Sequence, residues 1–137
     1  MNELDELLNA YAYELEIFSS SYKMMGQMLD REYVKGRIEM MGLSDMYIYG
    51  GGYLGIQLYN AIQQSANVLS IVDRNGKLLV EVPGIPVIAL NEFQSAYQGQ
   101  DVIITPVKYY KSICMELSEF VPSNKIIYLG EFLGGRL

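Results

Sequence analysis

The sequence contains no histidine, and Cys114 is its only cysteine. The absence of histidine excludes Ser–His and Cys–His nucleophile pairs, histidine metal ligands and histidine general bases. Any proton transfer would therefore fall to a carboxylate, a tyrosine or a lysine. A single cysteine cannot form an internal disulfide. Because Cys114 lies in a predicted helix among apolar neighbours, we expect a buried structural thiol, and we expect no metal site.

Long apolar runs and basic patches are also missing. No apolar stretch reaches the ~18 residues of a membrane span, and the acidic N-terminus lacks the apolar core of a signal peptide. We therefore expect a cytoplasmic protein. The formal net charge is −6, and residues 1–45 carry most of it, with nine acidic and four basic side chains. Nucleic acids and anionic membranes bind basic surfaces, so neither is expected as a partner.

Residues 1–45 are predicted to form an N-terminal helical segment in front of a domain at 46–137, and the total length suggests one domain. Asn2 is the predicted N-cap, the three serines at 19–21 a predicted break, and Gly42 the predicted stop. Apolar side chains recur at helical spacing on both sides of the break. The two stripes are Leu4, Leu7, Leu8, Tyr11, Leu15 and Phe18, then Tyr22, Met25, Leu29, Tyr33 and Ile38. The first stripe could pack on the chain's own sheet or form the interface of a homo-oligomer.

Residues 46–137 alternate short apolar runs with helical patterns. The predicted strands are 46–49, 68–72, 86–89, 102–105 and 125–129. The predicted helices are 53–64, 91 to about 97, and 107–120, with an extended segment at 78–82. The order β-α-β-β-α-β-α-β with apolar strands predicts an α/β fold, in which a five-stranded parallel sheet carries helices on both faces.

A glycine turn follows the first strand directly and opens the next helix. Gly50, Gly52 and Gly55 match G-x-G-x-x-G in the strand–turn–helix context that this motif requires. Gly50 would allow the tight turn, Gly52 the approach of a phosphate, and Gly55 close helix–strand packing. Asp73 ends the second strand, where a carboxylate can bind ribose hydroxyls and favours NAD, although Arg74 beside it could accommodate a 2′-phosphate. The alternatives are a βα turn without a ligand, and an Asp73 that only caps the turn after it.

The loop after the fourth strand is expected to face the glycine turn, because ligands of doubly wound sheets bind at the switch point between the first and fourth strands. Thr105 offers a hydroxyl, Lys108 a charge for phosphate and Tyr109 a stacking face, unless Pro106 simply starts a helix. The predicted ligand-binding residues are Gly50, Gly51, Gly52, Tyr53, Leu54, Gly55, Asp73, Arg74, Thr105, Pro106 and Lys108.

The segments IYGGGYLGIQLYNAI, VLSIVDRNG, GIPVIALNEF, DVIITP and KIIYLG resemble the nucleotide-binding Rossmann domains of bacterial surface-polysaccharide enzymes. That group includes the N-terminal domains of nucleotide-sugar dehydratases, sugar acyltransferases and related CoA-binding-type domains. The resemblance covers residues 46–129. It implies that the glycine turn holds a diphosphate and that Asp73 holds a ribose or nucleoside, with residues 84–87 leading into the third strand.

These observations predict a module that binds NAD or a nucleotide sugar, as part of a polysaccharide-biosynthesis enzyme or as its partner. Self-contained catalysis is not expected, because no tyrosine has a lysine four residues later: Tyr33 is followed by Arg37, and Tyr110 by Cys114. Two alternatives stay open. One is an AdoMet-dependent methyltransferase, which also places an acid after the second strand. The other is an interaction or dimerisation protein that retains the fold without a ligand.

Overall fold

A five-stranded, all-parallel sheet forms the centre of the computed structural model, which describes residues 2–134. The strands are β1 (Asp45–Tyr49), β2 (Asn67–Asp73), β3 (Val87–Ala89), β4 (Asp101–Ile104) and β5 (Ile126–Tyr128). Their spatial order is β3-β2-β1-β4-β5. The chain thus starts in the middle of the sheet, moves to one edge and then crosses to the other side of β1. This arrangement confirms the predicted Rossmann-like α/β class.

Within residues 2–134, six α-helices surround the sheet, and a short 3-10 helix at Ser123–Lys125 precedes β5. The α-helices are α1 (Glu3–Leu29), α2 (Arg31–Met41), α3 (Tyr53–Ile62), α4 (Leu90–Ala96), α5 (Tyr110–Leu117) and α6 (Leu129–Phe132). The end of α1 packs with α2, α3 and α6 on one face, whereas α4 and α5 cover the other. Across residues 2–134, no helix combines the length and apolar character needed to cross a membrane.

The strands supply both cores because their side chains alternate between the two faces. In β1, Met46 and Ile48 point into the α1–α3 side, and Tyr47 and Tyr49 into the α4–α5 side. All four are at most 5% exposed, which fits strands covered on both faces. Burying a large apolar side chain of this kind stabilises the fold by roughly 1.5–3 kcal/mol.

The predicted helix break at the three serines of 19–21 is wrong. Helix α1 runs through them without interruption and ends only at Asp30, whose carboxylate accepts a hydrogen bond from the Tyr33 N–H and caps α2. Serine costs a helix only a few tenths of a kcal/mol relative to alanine, so three serines do not end one. The other two signals hold: the Asn2 side chain caps α1, and Gly42 ends α2 with a φ of 66°.

The second predicted apolar stripe faces solvent for most of its length. Tyr22, Met25, Leu29 and Tyr33 are exposed, and only Ile38 is buried. The side chains that join the core from this region are Met24, Met28, Val34 and Ile38. The side of the helices that packs on the core is therefore displaced by about one residue from the predicted stripe. At the end of α1 the side chains that pack against α3 are those of Met24 and Met28.

Several boundaries after residue 46 also differ from the predicted ones. Residues 78–82 form no strand. Helix α4 begins at Leu90, and the carboxylate of Glu92 accepts the Ala89 N–H at 3.2 Å, in place of the predicted capping by Asn91 and Gln94. Helix α5 begins three residues later than predicted, at Tyr110. Helix α6 was not predicted, although Leu129 and Phe132 are fully buried.

Candidate functional site

The register of the sheet brings three loop starts to one edge. Tyr49 lies beside Val72 of β2 and beside Ile104 of β4. The residues that follow these strand positions are Gly50, Asp73 and Thr105. Because β1 lies between β2 and β4 in the sheet order, this edge is the switch point at which doubly wound sheets bind ligands.

Gly50 adopts a backbone conformation reserved for glycine. Its φ is 119°, a region that L-residues with a Cβ rarely enter. The Gly50 N–H donates to the carbonyl of Val72 at 2.8 Å, and a Cβ on Gly50 would collide with the hydroxyl of Thr105 and the ring of Pro106. The turn therefore depends on glycine for both its torsion angle and its packing.

Gly55 allows α3 to sit directly on this turn. A Cβ at Gly55 would overlap the carbonyl oxygen of Gly50 and touch the Thr105 hydroxyl. Gly51 is covered from the other side, since its missing Cβ position lies 2.8 Å from the carbonyl oxygen of Lys77. The Gly51 carbonyl also accepts the Leu79 N–H at 2.7 Å. The β2–β3 connection thus closes over one end of the turn.

Gly52 differs from the other turn glycines because it borders open space. No atom lies within 4 Å of a Cβ built on it. It is the N-cap of α3, no side chain caps this helix, and the first helical bond runs from the Ile56 N–H to the Gly52 carbonyl at 3.0 Å. The amides of Tyr53, Leu54 and Gly55 therefore have no helical acceptor. Such amides and the helix dipole together attract anions.

A cleft of about 360 Å³ opens beside Gly50, Gly51 and Gly52, within the size range of small-molecule sites. Its walls come from the ends of β1, β2 and β4 and from the start of α5. The lining residues are Tyr49, Gly50, Gly51, Gly52, Asp73, Arg74, Pro106, Tyr109, Ser112 and Ile113. Among residues 2–134 no buried side-chain nitrogen or oxygen lacks a hydrogen-bond partner.

The two carboxylate oxygens of Asp73 have different surroundings, one in the turn that follows and one beside the glycine turn. One carboxylate oxygen accepts the Asn75 N–H at 3.0 Å, as in the turn-capping alternative. The other oxygen faces Gly51. Arg74 reaches across the cleft and pairs with Glu116 of α5 at 2.6 Å, and the Arg74 side chain remains 67% exposed.

The loop after β4 is split between two environments. The buried Thr105 hydroxyl donates to the Tyr49 carbonyl at 2.9 Å, so it is a structural group, while Pro106 lines the cleft. Lys108 turns away from the cleft and pairs with Glu14 of α1 at 2.9 Å. That hydrogen bond, followed by the charge of Glu14, raises the Lys108 pKa.

Tyr53 and Leu54 contribute backbone and not side chains to this region. The Tyr53 side chain is exposed, and that of Leu54 packs against the α1–α3 core. Cys114 is only half-buried, at the edge of the core between the sheet and α5. No group of three carboxylates or thiols in the described part of the chain could hold a metal ion.

Sequence reasoning missed the contributions of Tyr49, Ser112, Ile113 and Glu116 to this site. Tyr49 ends β1 below the turn; burial raises its pKa, the charge of Glu116 adds to the effect, and Arg74 opposes it. Its position directly before Gly50 was a usable signal. Ser112 and Glu116 carry no such signal, because only the packing of α5 against the sheet brings them to the cleft.

A second, larger cleft of about 730 Å³ lies between α1 and the loop after β4. Tyr109 and Ser112 line both clefts, so the two are adjacent. The walls of the second cleft are rich in tyrosine, with Tyr13, Tyr110 and Tyr128 besides Tyr109.

Comparison with known proteins gives no family for this chain. No family model matches it, and neither the curated proteins nor the solved structures contain a match. What the fold and the turn define is thus a class of architecture: a Rossmann-like parallel α/β protein with a glycine turn at the switch point of its sheet.

Proposed function

We propose that this chain is a binding module for a nucleotide that carries a diphosphate, NAD or a nucleotide sugar, held over the glycine turn. The observation that carries the proposal is that the glycines of the turn are needed for different reasons. Gly50 and Gly55 are required by the backbone itself, whereas Gly52 faces open space at an uncapped helix end. A turn that only connected β1 to α3 would have no such need for an open Gly52.

In this proposal the phosphates accept hydrogen bonds from the amides of Tyr53, Leu54 and Gly55. The oxygen of Asp73 that faces Gly51 accepts from a ribose hydroxyl. Arg74 is available to a phosphate because its own side chain is 67% exposed in the pair with Glu116, and ion pairs at the surface contribute little to stability, ~0–1 kcal/mol. Exchange of Glu116 for a ligand phosphate is therefore inexpensive.

The first cleft is smaller than a whole dinucleotide, so the rest of the ligand must lie elsewhere. The tyrosine-lined cleft next to it offers ring faces for stacking and hydroxyl groups for hydrogen bonds. A sugar or a nicotinamide ring would suit such walls. The role in surface-polysaccharide biosynthesis rests on the resemblance of the glycine turn and strand segments alone, and the proposal covers binding and not a reaction.

The test separates charge from space at Gly52. Native mass spectrometry of the purified chain with NAD, UDP-sugars, CoA and AdoMet identifies a ligand, and calorimetry measures its Kd for the parent, Gly52→Asp and Gly52→Ser. Both substitutions place a helix-capping side chain at an extended N-cap, so both should maintain or raise stability. Only aspartate also places a negative charge where the phosphate would bind.

We expect Gly52→Asp to weaken binding ~100-fold or more, and Gly52→Ser to weaken it much less. Equal binding by all three proteins would place the phosphate elsewhere. Binding of AdoMet alone would favour a methyltransferase, and no ligand from the panel would refute the proposal.

A further inference from the structure

Helix α1 carries one uninterrupted heptad repeat. Since the helix continues through the three serines, the two apolar stripes join into a single series whose spacing alternates between four and three residues. The series is Leu4, Leu8, Tyr11, Leu15, Phe18, Tyr22, Met25 and Leu29. We call these eight residues the seam. It spans the whole helix of 27 residues, a length of about 40 Å.

The seam is not covered by the rest of the chain. Its eight side chains are between 40% and 72% exposed. The rest of the chain, which we call the body, contacts α1 on a different side. The contacts are those of the buried Met24 and Met28 and the pair between Glu14 and Lys108. The exposure of the seam therefore does not result from a helix that has lost its own contacts, because α1 is anchored along a neighbouring face.

A strict seven-residue repeat has a specific physical meaning. A straight α-helix drifts by about 20° per heptad relative to this repeat, so a helix that packs on a globular body does not need it. Two helices that supercoil around each other do need it, since the repeat keeps both seams in contact. Eight successive seam positions without a charged residue, over nearly four heptads, meet the length at which such a pattern indicates a coiled coil.

Charge distribution favours a second copy of this chain as the partner helix. Only Asp5 and Glu14 are charged among the positions that flank the seam, while the other flanking residues are Leu7, Ala12, Ser19, Ser21, Gly26 and Met28. With the seams fully overlapped, neither acid faces an acid of the second helix in either orientation. Glu3, Glu6 and Glu16 lie on the outer side. A basic partner helix would gain little from such a neutral rim.

The same charges disfavour a membrane surface. Helices that lie on membranes carry lysine and arginine beside their apolar face, and residues 2–22 contain five acids and no base. Eight large side chains, each roughly half exposed, correspond to several hundred Å² per copy. That is close to the ~800 Å² per partner that stable interfaces bury.

We propose that α1 forms a two-stranded coiled coil with α1 of a second copy of this chain, through the seam. This inference is independent of the ligand proposed for the glycine turn. The experiment is sedimentation velocity of the full chain from ~1 to ~100 μM. Three variants accompany it: Leu15→Glu, which places a charge in the seam, Leu15→Ile, which preserves an apolar seam, and Ala10→Glu, which adds the same charge on an exposed position outside it.

We expect the parent, Leu15→Ile and Ala10→Glu to sediment as dimers, and the dimer Kd of Leu15→Glu to rise at least ~100-fold because each copy would bury an unpaired carboxylate in an apolar seam. Leu15 is exposed within one copy, so Leu15→Glu should keep the cooperative thermal transition of the body. A monomeric parent would overturn the proposal, and so would a dimer that Leu15→Glu leaves intact.

Discussion

The glycines of the turn are required for different physical reasons, and substitution by alanine, which adds one methyl group, tests them. Gly55 leaves no room for a Cβ beside the Gly50 carbonyl. We expect Gly55→Ala to lower the free energy of unfolding by about 1–3 kcal/mol or more, because the turn and α3 must move apart. Gly36, an exposed glycine inside α2 with open space around it, is the matched control. Gly36→Ala should raise stability by about 0.5–1 kcal/mol. Urea unfolding measures both, and an unchanged Gly55→Ala would contradict the packing described.

A half-buried tyrosine, Tyr110, couples stability to alkaline pH. Burial, followed by the contact with Cys114, raises the pKa of Tyr110 from 10.0 to about 12. The unfolded chain releases this proton at a lower pH than the folded chain, so stability is intact below pH ~10 and decreases as the pH rises towards ~12. Tyr110→Phe removes this proton, and we expect its stability to decrease less between pH 10 and 12.

Urea midpoints at each pH, with tyrosinate absorbance at 295 nm, provide the measurement. Burial also raises the pKa values of Tyr47, Tyr49, Tyr97 and Tyr128, so some decrease should persist in the variant. At pH 8 Tyr110 is neutral in both the folded and the unfolded chain. Near this pH the free energy of unfolding should therefore depend on pH in the same way for the parent and the variant. Identical pH profiles for the two proteins would show that Tyr110 does not contribute.

At the scale of elements, the loop after β4 shows how a distant helix redirects a side chain. The prediction placed Lys108 near the glycine turn, and its neighbours Pro106 and Tyr109 do line that cleft. Lys108 itself is held by Glu14 of α1. The sequence does not indicate this pair, because the two residues are 94 positions apart. They come together only because of the orientation of α1 relative to the sheet.

This geometry predicts that Lys108 does not bind the ligand phosphate. We expect Lys108→Gln to leave the nucleotide Kd within about twofold of the parent value, whereas Arg74→Gln should weaken binding, since a charge-assisted hydrogen bond contributes about 1.5–3 kcal/mol. Calorimetry with the ligand identified by mass spectrometry compares the two. A tenfold loss in Lys108→Gln would mean that the lysine leaves Glu14 for the ligand.

Element type was easier to predict than element ends. The alternation of apolar runs and helical patterns suffices for five parallel strands, because strands buried on both faces read as continuous apolar segments. Helix ends depend on competing groups. Thr105 stays outside α5, since the residue before a proline avoids helical torsion angles and the Thr105 hydroxyl is bound to the Tyr49 carbonyl. The serines of α1 show the reverse case, in which a weak local signal is overridden by the continuity of the helix.

At the scale of the whole molecule, the part of the site that could be predicted is the part set by topology. Parallel pairing of β1 with β2 and β4 brings Gly50, Asp73 and Thr105 to one edge, and the predicted order of strands and helices indicated this through the switch point of a doubly wound sheet. The cover over Gly51 by the β2–β3 connection, the pair between Arg74 and Glu116 and the cleft beside α1 depend on long-range packing. No local pattern encodes those contacts.

Helix α1 has two parts. Its last two turns belong to the packed core, and the residues before 21 form an exposed segment, which we call the arm. The buried residues of α1 are Met24 and Met28 only, and both lie in its last two turns. Residues before 21 should therefore be dispensable for folding. A chain that starts at Ser21, with a methionine before it, should unfold cooperatively, and its stability should lie within ~1 kcal/mol of that of full-length Leu15→Glu.

Leu15→Glu is the appropriate reference because it compares monomer with monomer, which removes the contribution of dimerisation to apparent stability. Met28→Ala in the same background should cost about 2–5 kcal/mol, since Met28 is fully buried. The shortened chain should also retain the phosphate contacts at Gly52, whose cleft contains no residue of α1, and should bind the ligand more weakly because Tyr13 and its α1 neighbours no longer line the second cleft. A shortened chain that loses its cooperative transition would show that the arm is part of the body's core, and the coiled coil would then have to form on a helix that already supports the fold.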